Sequence, residues 1–243
     1  GTTGGRVPDD LTVTLHIFSD TAETGTYTTT VTGEGSFSFE DVTLEEEYTV
    51  VTRVVYEDVT YVSEFATVEQ GREAVSLPLT IYETTEDSAD IAISQLHVFV
   101  NKMGEQIQVG NYAVITNAGD RTYIGSPDEG GRTTWSARLP DGAENLQFDS
   151  AELGGRFVPS EDGFGDTRPI SPGEASVETS FTYQLPYQQG VEIAQSFDVP
   201  VRAVVMVLPE GDWGLRGAGI SIEETLDTQM GTALSYTAGP LSA

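Results

Sequence analysis

Most of this chain alternates apolar and polar residues with a period of two, and this pattern limits it to β structure. The first clear example has one apolar face, formed by Leu11, Val13, Leu15 and Ile17. Side chains of a strand point alternately to the two faces of a sheet, whereas helices need apolar spacings of three and four residues. Such helical spacing is hard to find here, and alternating segments recur at the short, regular intervals that are typical of all-β sandwiches.

The alternation is interrupted once by a polar, acidic stretch, ETTEDSAD at residues 83–90, and resumes directly after it. This predicts a domain boundary. The expected fold is therefore all-β, with two tandem antiparallel immunoglobulin-like β-sandwich domains at residues 1–85 and 90–243. Within the second domain, a stretch rich in Gly, Pro and Asp predicts a long surface loop at 154–172. The run VRAVVMVL is apolar on both faces over 204–208 and predicts a central strand.

The charge of the chain restricts its partners. It has 39 acidic and 11 basic residues, a net charge of −28 and a pI near 4.1. Such a surface has no basic stripe to displace the counterions of a phosphate backbone, so we expect no nucleic acid partner. No apolar run is long enough to span a bilayer, so we expect no membrane span within the given residues.

A resemblance to a known family lies in GSFSFEDVTLEEEYTV, residues 35–50. Its pattern G-x-F-x-F-x-x-V, followed by Y-x-V, resembles that of carboxypeptidase regulatory-like domains, the transthyretin-like and Cna-B-like immunoglobulin sandwiches. The resemblance implies this fold for residues 1–85. Some Cna-B-like domains contain a lysine isopeptide bond, but the only lysine here, Lys102, lies outside the matched region.

The second half contains LHVFV, RLPDGAENLQF and DTRPISPG, and it is similar to surface-exposed β domains of Chloroflexi-type envelope proteins. This similarity implies an extracellular or cell-surface location in a prokaryote. The first residues, GTTGGRVPDD, look like the turn after a missing strand, and SYTAGPLSA stops on turn residues. One interpretation is strand exchange with neighbouring chains. The other, equally weighted, is that the given residues are part of a longer protein.

Catalytic motifs are absent from the sequence. There is no cysteine, no G-x-S-x-G and no H-E-x-x-H. The two histidines are His16, on the polar face of the first strand, and His97, on the face predicted for Ile91, Ile93 and Phe99. Both favour a structural role. We therefore expect no enzyme, although with 39 acids a carboxylate pair of the glycosidase type stays open as a third alternative.

Calcium is the one cofactor that the acids could bind, because this ion prefers several oxygen ligands from loops. The stretch SEDGFGDT places Glu161, Asp162 and Asp166 close together beside glycines, and SPDEGG at 126–131 is a lesser candidate. A solvated acidic loop without metal is the favoured alternative. Otherwise no cofactor is expected.

The sequence thus predicts a non-enzymatic extracellular structural or binding module of the cell envelope. Its partners would be copies of itself or envelope proteins, as in a surface filament built by strand exchange. The alternative is a carbohydrate-binding or adhesion module, with or without calcium, that binds polysaccharide through loop aromatics. Trp213, in the glycine-rich turn GDWGL, is the candidate stacking residue.

Overall fold

A computed structural model describes residues 7–42, 48–68, 74–128, 131–149, 153–211, 213–228 and 231–241 of the chain. The chain divides into two compact units, Gly1–Glu83 (unit 1) and Thr84–Ala243 (unit 2). Every regular element among the described residues is a β-strand, so the predicted all-β class is confirmed. Within those ranges the structure contains no helix of the length and apolar character that a bilayer span requires.

Unit 1 is built on one antiparallel sheet. Its strands are β1 (Thr12–Ser19), β2 (Ala22–Thr30), β3 (Tyr48–Tyr56), β4 (Val59–Val62) and β5 (Ala66–Val68). The order is β2-β1-β3-β4, and β5 pairs with the other end of β3. Val13, Leu15 and Ile17 are buried on one face, as the alternation predicted.

Two further segments of unit 1, FSFEDV and AVSLPLTIY, have the alternating pattern that predicts strands, and for them this prediction is wrong. Their side chains alternate between inside and outside, but neither segment pairs in a sheet. Among the described residues, no hydrogen bond reaches the backbone of residues 37–42 or 75–81. Two local features oppose pairing. Asp41 has a φ of 56°, which turns the chain, and Pro78 has no N–H to donate.

Unit 2 contains the other fifteen strands of the described chain. They are β6 (Thr84–Thr85), β7 (Ile91–Met103), β8 (Gln106–Asn117), β9 (Thr122–Tyr123), β10 (Ser126–Asp128), β11 (Gly131–Thr133), β12 (Trp135–Arg138), β13 (Glu144–Phe148), β14 (Phe157–Ser160), β15 (Gly163–Asp166), β16 (Gly173–Pro186), β17 (Ser196–Phe197), β18 (Val204–Pro209), β19 (Ile220–Thr228) and β20 (Gly231–Ala238).

The strands of unit 2 form two main layers. A seven-stranded sheet has the order β13-β16-β8-β7-β18-β20-β19, and a four-stranded sheet has the order β14-β15-β12-β17. Side chains of both sheets contribute to one hydrophobic core. β18 lies inside the large sheet, as predicted for VRAVVMVL, but it pairs with β7 in parallel, so that sheet is mixed rather than purely antiparallel.

The long loop predicted at 154–172 is instead centred on a hairpin, β14 and β15. Phe157 and Phe164 are fully buried and fix the two strands to the core. Glycine allows β15 to lie close to β12 here, because a Cβ on Gly163 would clash with the carbonyl oxygen of Ala137. The same residue types that indicate a flexible loop therefore also permit tightly paired strands.

A β-bulge in β7 corrects the face assigned to His97. The register with β8 shifts between Ile93 and Gln95, so one extra residue reverses the alternation. Ile93 and Leu96 are both buried, and His97 lies on the opposite, partly exposed face. The predicted alignment of His97 with Ile91 is therefore wrong.

Candidate functional site

The three acids predicted to bind calcium occupy two different environments. Glu161 and Asp162 form the two-residue turn between β14 and β15, and both are exposed. Asp166 lies at the far end of β15, about 13 Å of strand from Asp162 at 3.3 Å per residue, and is fully buried. Oδ2 of Asp162 lies 3.6 Å from Nε of Arg138 on the neighbouring strand β12. Glu161 and Asp162 therefore share a turn, and Asp166 is not part of it.

The side chain of Asp166 is already occupied by protein donors. Arg156 donates from Nε to Oδ1 at 2.9 Å and from a terminal guanidinium nitrogen to Oδ2 at 2.6 Å. Trp135 donates its indole N–H to Oδ2 at 3.2 Å, and the Arg168 amide donates to Oδ1 at 2.9 Å. Thr179 also contacts Oδ2, at 3.3 Å. A buried carboxylate with this many donors is a stable structural anion, and its position is fixed by both sheets of unit 2.

No group of three acidic, histidine or cysteine side chains with metal-binding geometry occurs in the described ranges. The lesser candidate SPDEGG includes residues 129 and 130, which lie outside those ranges. Calcium binding stays a prediction. Of the three predicted calcium ligands in this hairpin, Glu161 and Asp162 remain adjacent, in the exposed turn.

Both histidines have structural contacts. His16 shares a hydrogen bond of 2.8 Å with Glu23 on the neighbouring strand and stacks on Phe18 at 6.5 Å between ring centroids. His97 lies 6.1 Å from the ring of Tyr112. Each histidine lies on the face of a sheet rather than in a cleft with a nucleophile.

The predicted stacking residue, Trp213, packs against the hydrophobic core of unit 2 and is half-buried. A Cβ on Gly211 would approach its indole ring to 3.1 Å, so the turn closes tightly against it. Trp135, which alternates like a core residue in TTWSARL, is fully buried. Trp213 keeps part of its side chain exposed, so ligand stacking on it stays a prediction.

A cavity in unit 1 was not foreseen from the sequence. It has a volume of about 1170 Å³ and lies between the sheet and the two unpaired segments. Leu15, Val50 and Val68 form its floor, but they are only 2–5 % exposed. The rest of the described lining comes from residues 35–42 and 74–78, within which we call residues 37–42 and 75–78 the wall segments.

The wall segments combine apolar side chains with unpaired backbone. Phe37 and Phe39 contact each other edge-to-face at 6.0 Å, and Phe39 and Leu77 pack on the buried cluster around Leu15. The amides and carbonyls of both segments have no hydrogen-bond partner among the described residues. Backbone polar groups in globular proteins are almost always paired, with protein or with water. Two extended segments beside an open cavity thus offer an unused set of strand-pairing groups.

The outer face of the large sheet in unit 2 carries a row of aromatic residues, in which Phe99 is exposed and His97 and Tyr112 are half-buried. His97 and Tyr112 are directly opposite each other on β7 and β8, and Phe99, which is 43 % exposed, lies in the next row over Gly110. A hydrogen bond from the Tyr112 hydroxyl to Glu178, together with partial burial, raises the pKa of Tyr112. The row presents aromatic, hydroxyl and carboxylate groups to solvent on a rigid sheet.

No protein-family model matches this chain, and no curated protein matches it.

Proposed function

We propose that the protein is a non-enzymatic, extracellular structural or binding module of a prokaryotic cell envelope. It joins its neighbours by β-strand addition, as a subunit of a surface assembly or filament. The proposal includes the finer architecture: two tandem immunoglobulin-like sandwiches, of which residues 1–85 resemble a carboxypeptidase regulatory-like domain.

One observation carries this proposal: the backbone groups of the wall segments in unit 1 have no hydrogen-bond partner among the residues that the structure describes. A sheet or extended segment with free amides and carbonyls is the acceptor in strand-addition complexes, where main-chain hydrogen bonds provide affinity. The cavity volume of about 1170 Å³ exceeds that of most small-molecule pockets, which are about 300–1,000 Å³. An added strand suits a site of this size and chemistry.

The acidity of the chain keeps the free protein soluble before it meets a partner. At a net charge of −28, copies of the free protein repel one another and stay soluble until a specific contact forms. Strand addition is such a contact, because its hydrogen bonds and side-chain registration are specific.

The test uses single cysteines, which the chain permits because it has none of its own. Phe39→Cys places a thiol on the cavity side of a wall segment, and Thr28→Cys places the control thiol on the exposed strand β2. Both variants are labelled with a membrane-impermeant maleimide, as purified protein and on intact cells. We expect Thr28→Cys to react in both settings and Phe39→Cys to react only in the purified protein. Absence of labelling of Thr28→Cys on intact cells would refute the surface location, and equal labelling of Phe39→Cys in both settings would refute strand addition.

Carbohydrate binding is a second candidate function, favoured by the aromatic row on the outer face of unit 2. Sugar rings stack on such faces while hydroxyl and carboxylate groups orient them. Affinity electrophoresis against neutral polysaccharides tests it, with and without EDTA for the calcium-dependent form. Phe99→Ala should abolish retardation, whereas Trp213→Phe should leave it unchanged. If only the Trp213 variant loses retardation, the polysaccharide-binding site lies at Trp213 and not on the aromatic row.

A further inference from the structure

The cavity in unit 1 also indicates which kind of strand it accepts. We infer that the donor is an extended segment of a different polypeptide, with apolar residues at alternate positions and neutral or basic residues between them. This inference rests on the proposed function, since it names the partner of the same site. Its grounds are the side-chain pattern of the walls, the free backbone and the charge at the rim.

The walls determine the alternation of the donor. Phe39 and Leu77 pack on the buried cluster of the sheet, and Phe37 is half-buried beside Phe39. The alternate positions Ser36, Ser38 and Ser76 are exposed. A strand paired with either wall aligns its own alternate side chains with these two faces, because the side-chain period of a strand is two. One face of the donor therefore meets phenylalanine and leucine and must be apolar, and the other meets serine and solvent.

Proline limits the geometry of pairing. Pro78 has no N–H, so the second wall segment can pair without interruption along only one of its edges. Residues 37–40 contain no proline, keep every donor and precede the turn at Asp41. The donor strand consequently forms its most continuous ladder with residues 37–40.

Charge at the rim selects the partner. Glu40 and Asp41 both line the cavity and are exposed, and no basic side chain is among the lining residues that the structure describes. A donor with lysine or arginine at its outward positions is attracted, whereas a second copy of this chain brings a further net charge of −28. The charge complementarity therefore favours a different, basic polypeptide over self-assembly.

The experiment compares three short synthetic peptides on the purified full chain. The first alternates valine with threonine and lysine, the second has glutamate in place of lysine, and the third has the composition of the first in a non-alternating order. Binding is measured by calorimetry, and hydrogen exchange reports whether amides of residues 37–42 become protected. We expect the alternating basic peptide to bind at least about tenfold more tightly than either of the others, with protection confined to the wall segments and their neighbours.

A charge variant sharpens this test. Glu40→Lys should lower the affinity for the basic peptide about 2- to 5-fold, as expected for an exposed ion pair. The same variant should raise the affinity for the acidic peptide. Glu144→Lys, an exposed change of equal charge in unit 2, is the matched control and should alter neither affinity. Equal affinities for the basic and acidic peptides would overturn the inferred partner chemistry.

Two further outcomes separate this inference from the proposed function. If no peptide protects the wall segments but raising the protein concentration does, the occupant is a second copy. This inference is then wrong, while strand addition stands. If neither the peptides nor a higher protein concentration protects the amides of the wall segments, the inference about the donor is wrong. The cysteine labelling on intact cells then tests the proposed function separately.

Discussion

The two units cover the apolar face of a sheet in different ways. In unit 2 the covering layer is itself a hydrogen-bonded sheet, and Phe157 and Phe164 fill the space beneath it with no exposed surface. In the described part of unit 1 the covering layer consists of two segments whose backbone groups have no hydrogen-bond partner, and a cavity remains between them and the sheet. Alternation alone thus makes a chain extended and amphipathic, but it does not provide a paired neighbour.

The aromatic residues show the same contrast. Phe164 of unit 2 has aromatic neighbours on several sides, including Phe148 at 4.7 Å and Phe181 at 4.9 Å between ring centroids. Phe39 of unit 1 contacts one aromatic neighbour, Phe37, and remains half-exposed. Dense packing on all sides requires two complete layers, and in the described residues unit 2 alone has them.

The comparison is tested most strongly by truncating one phenylalanine in each covering layer. Phe164→Ala should lower the free energy of unfolding by about 3–5 kcal/mol, because it leaves a cavity in a close-packed core. Phe39→Ala should cost only about 1 kcal/mol, since a half-exposed ring buries less surface. Urea unfolding followed separately in each unit measures both values. Equal losses would mean that the covering layer of unit 1 is as well packed as that of unit 2.

The second test removes the ion pair that links the covering sheet of unit 2 to its core. Arg156→Ala should cost about 3 kcal/mol, because it leaves the buried Asp166 carboxylate without its bidentate partner. Arg138→Ala removes an exposed partner of Asp162 at 3.6 Å and should cost under about 1 kcal/mol. Thermal unfolding compares the two variants. A cost at Arg138 that matches the cost at Arg156 would contradict the assigned difference in burial.

Proline scanning distinguishes paired from unpaired backbone. β8 is paired on both edges, so the N–H of residue 108 faces a partner strand whichever edge it points to. Gln108→Pro removes that N–H and should lower the free energy of unfolding by about 2 kcal/mol. Ser38→Pro, in the wall segment, should cost under about 0.5 kcal/mol. Gln108→Ala controls for the loss of the side chain. A large cost at Ser38 would show that this segment pairs in solution.

Alkaline pH should affect the core of unit 2 through Tyr183. Burial raises the pKa of its hydroxyl, which donates to Gln195 at 3.0 Å. A raised pKa means that the folded state holds the proton more tightly than the unfolded state. Stability is therefore complete below about pH 10 and declines above it, by up to about 1.4 kcal/mol per pH unit. Denaturant midpoints measured across that range should fall less steeply in Tyr183→Phe, and an unchanged slope would contradict this assignment.

Sequence patterns were most informative where a segment also finds a partner strand. The faces of β1 follow the predicted alternation, and β18 is internal as its two-sided apolar pattern indicated. The pattern failed at residues 37–42 and 75–81, which look like strands but stay unpaired, and at 154–172, where Gly and Pro conceal a buried hairpin. Pairing depends on residues distant in the chain, which a local period of two does not specify.

The candidate site was less predictable than the fold. The acids of SEDGFGDT lie near each other in sequence, but a strand extends between Asp162 and Asp166, and Arg156 binds the latter. The cavity depends on the separation of a sheet and two unpaired segments, and no short motif encodes that separation. The unused backbone groups of residues 37–42 carry no side-chain signature at all.

The sequence by itself determined that this protein is all-β, strongly acidic and free of cysteine, because alternation and composition are local properties. Only the tertiary structure decided which extended segments became strands, which face His97 occupies and where the open cavity lies. Those outcomes depend on register, bulges and the availability of partner strands. They are set by contacts between distant residues, because each backbone hydrogen bond of a sheet needs a second strand at the correct position.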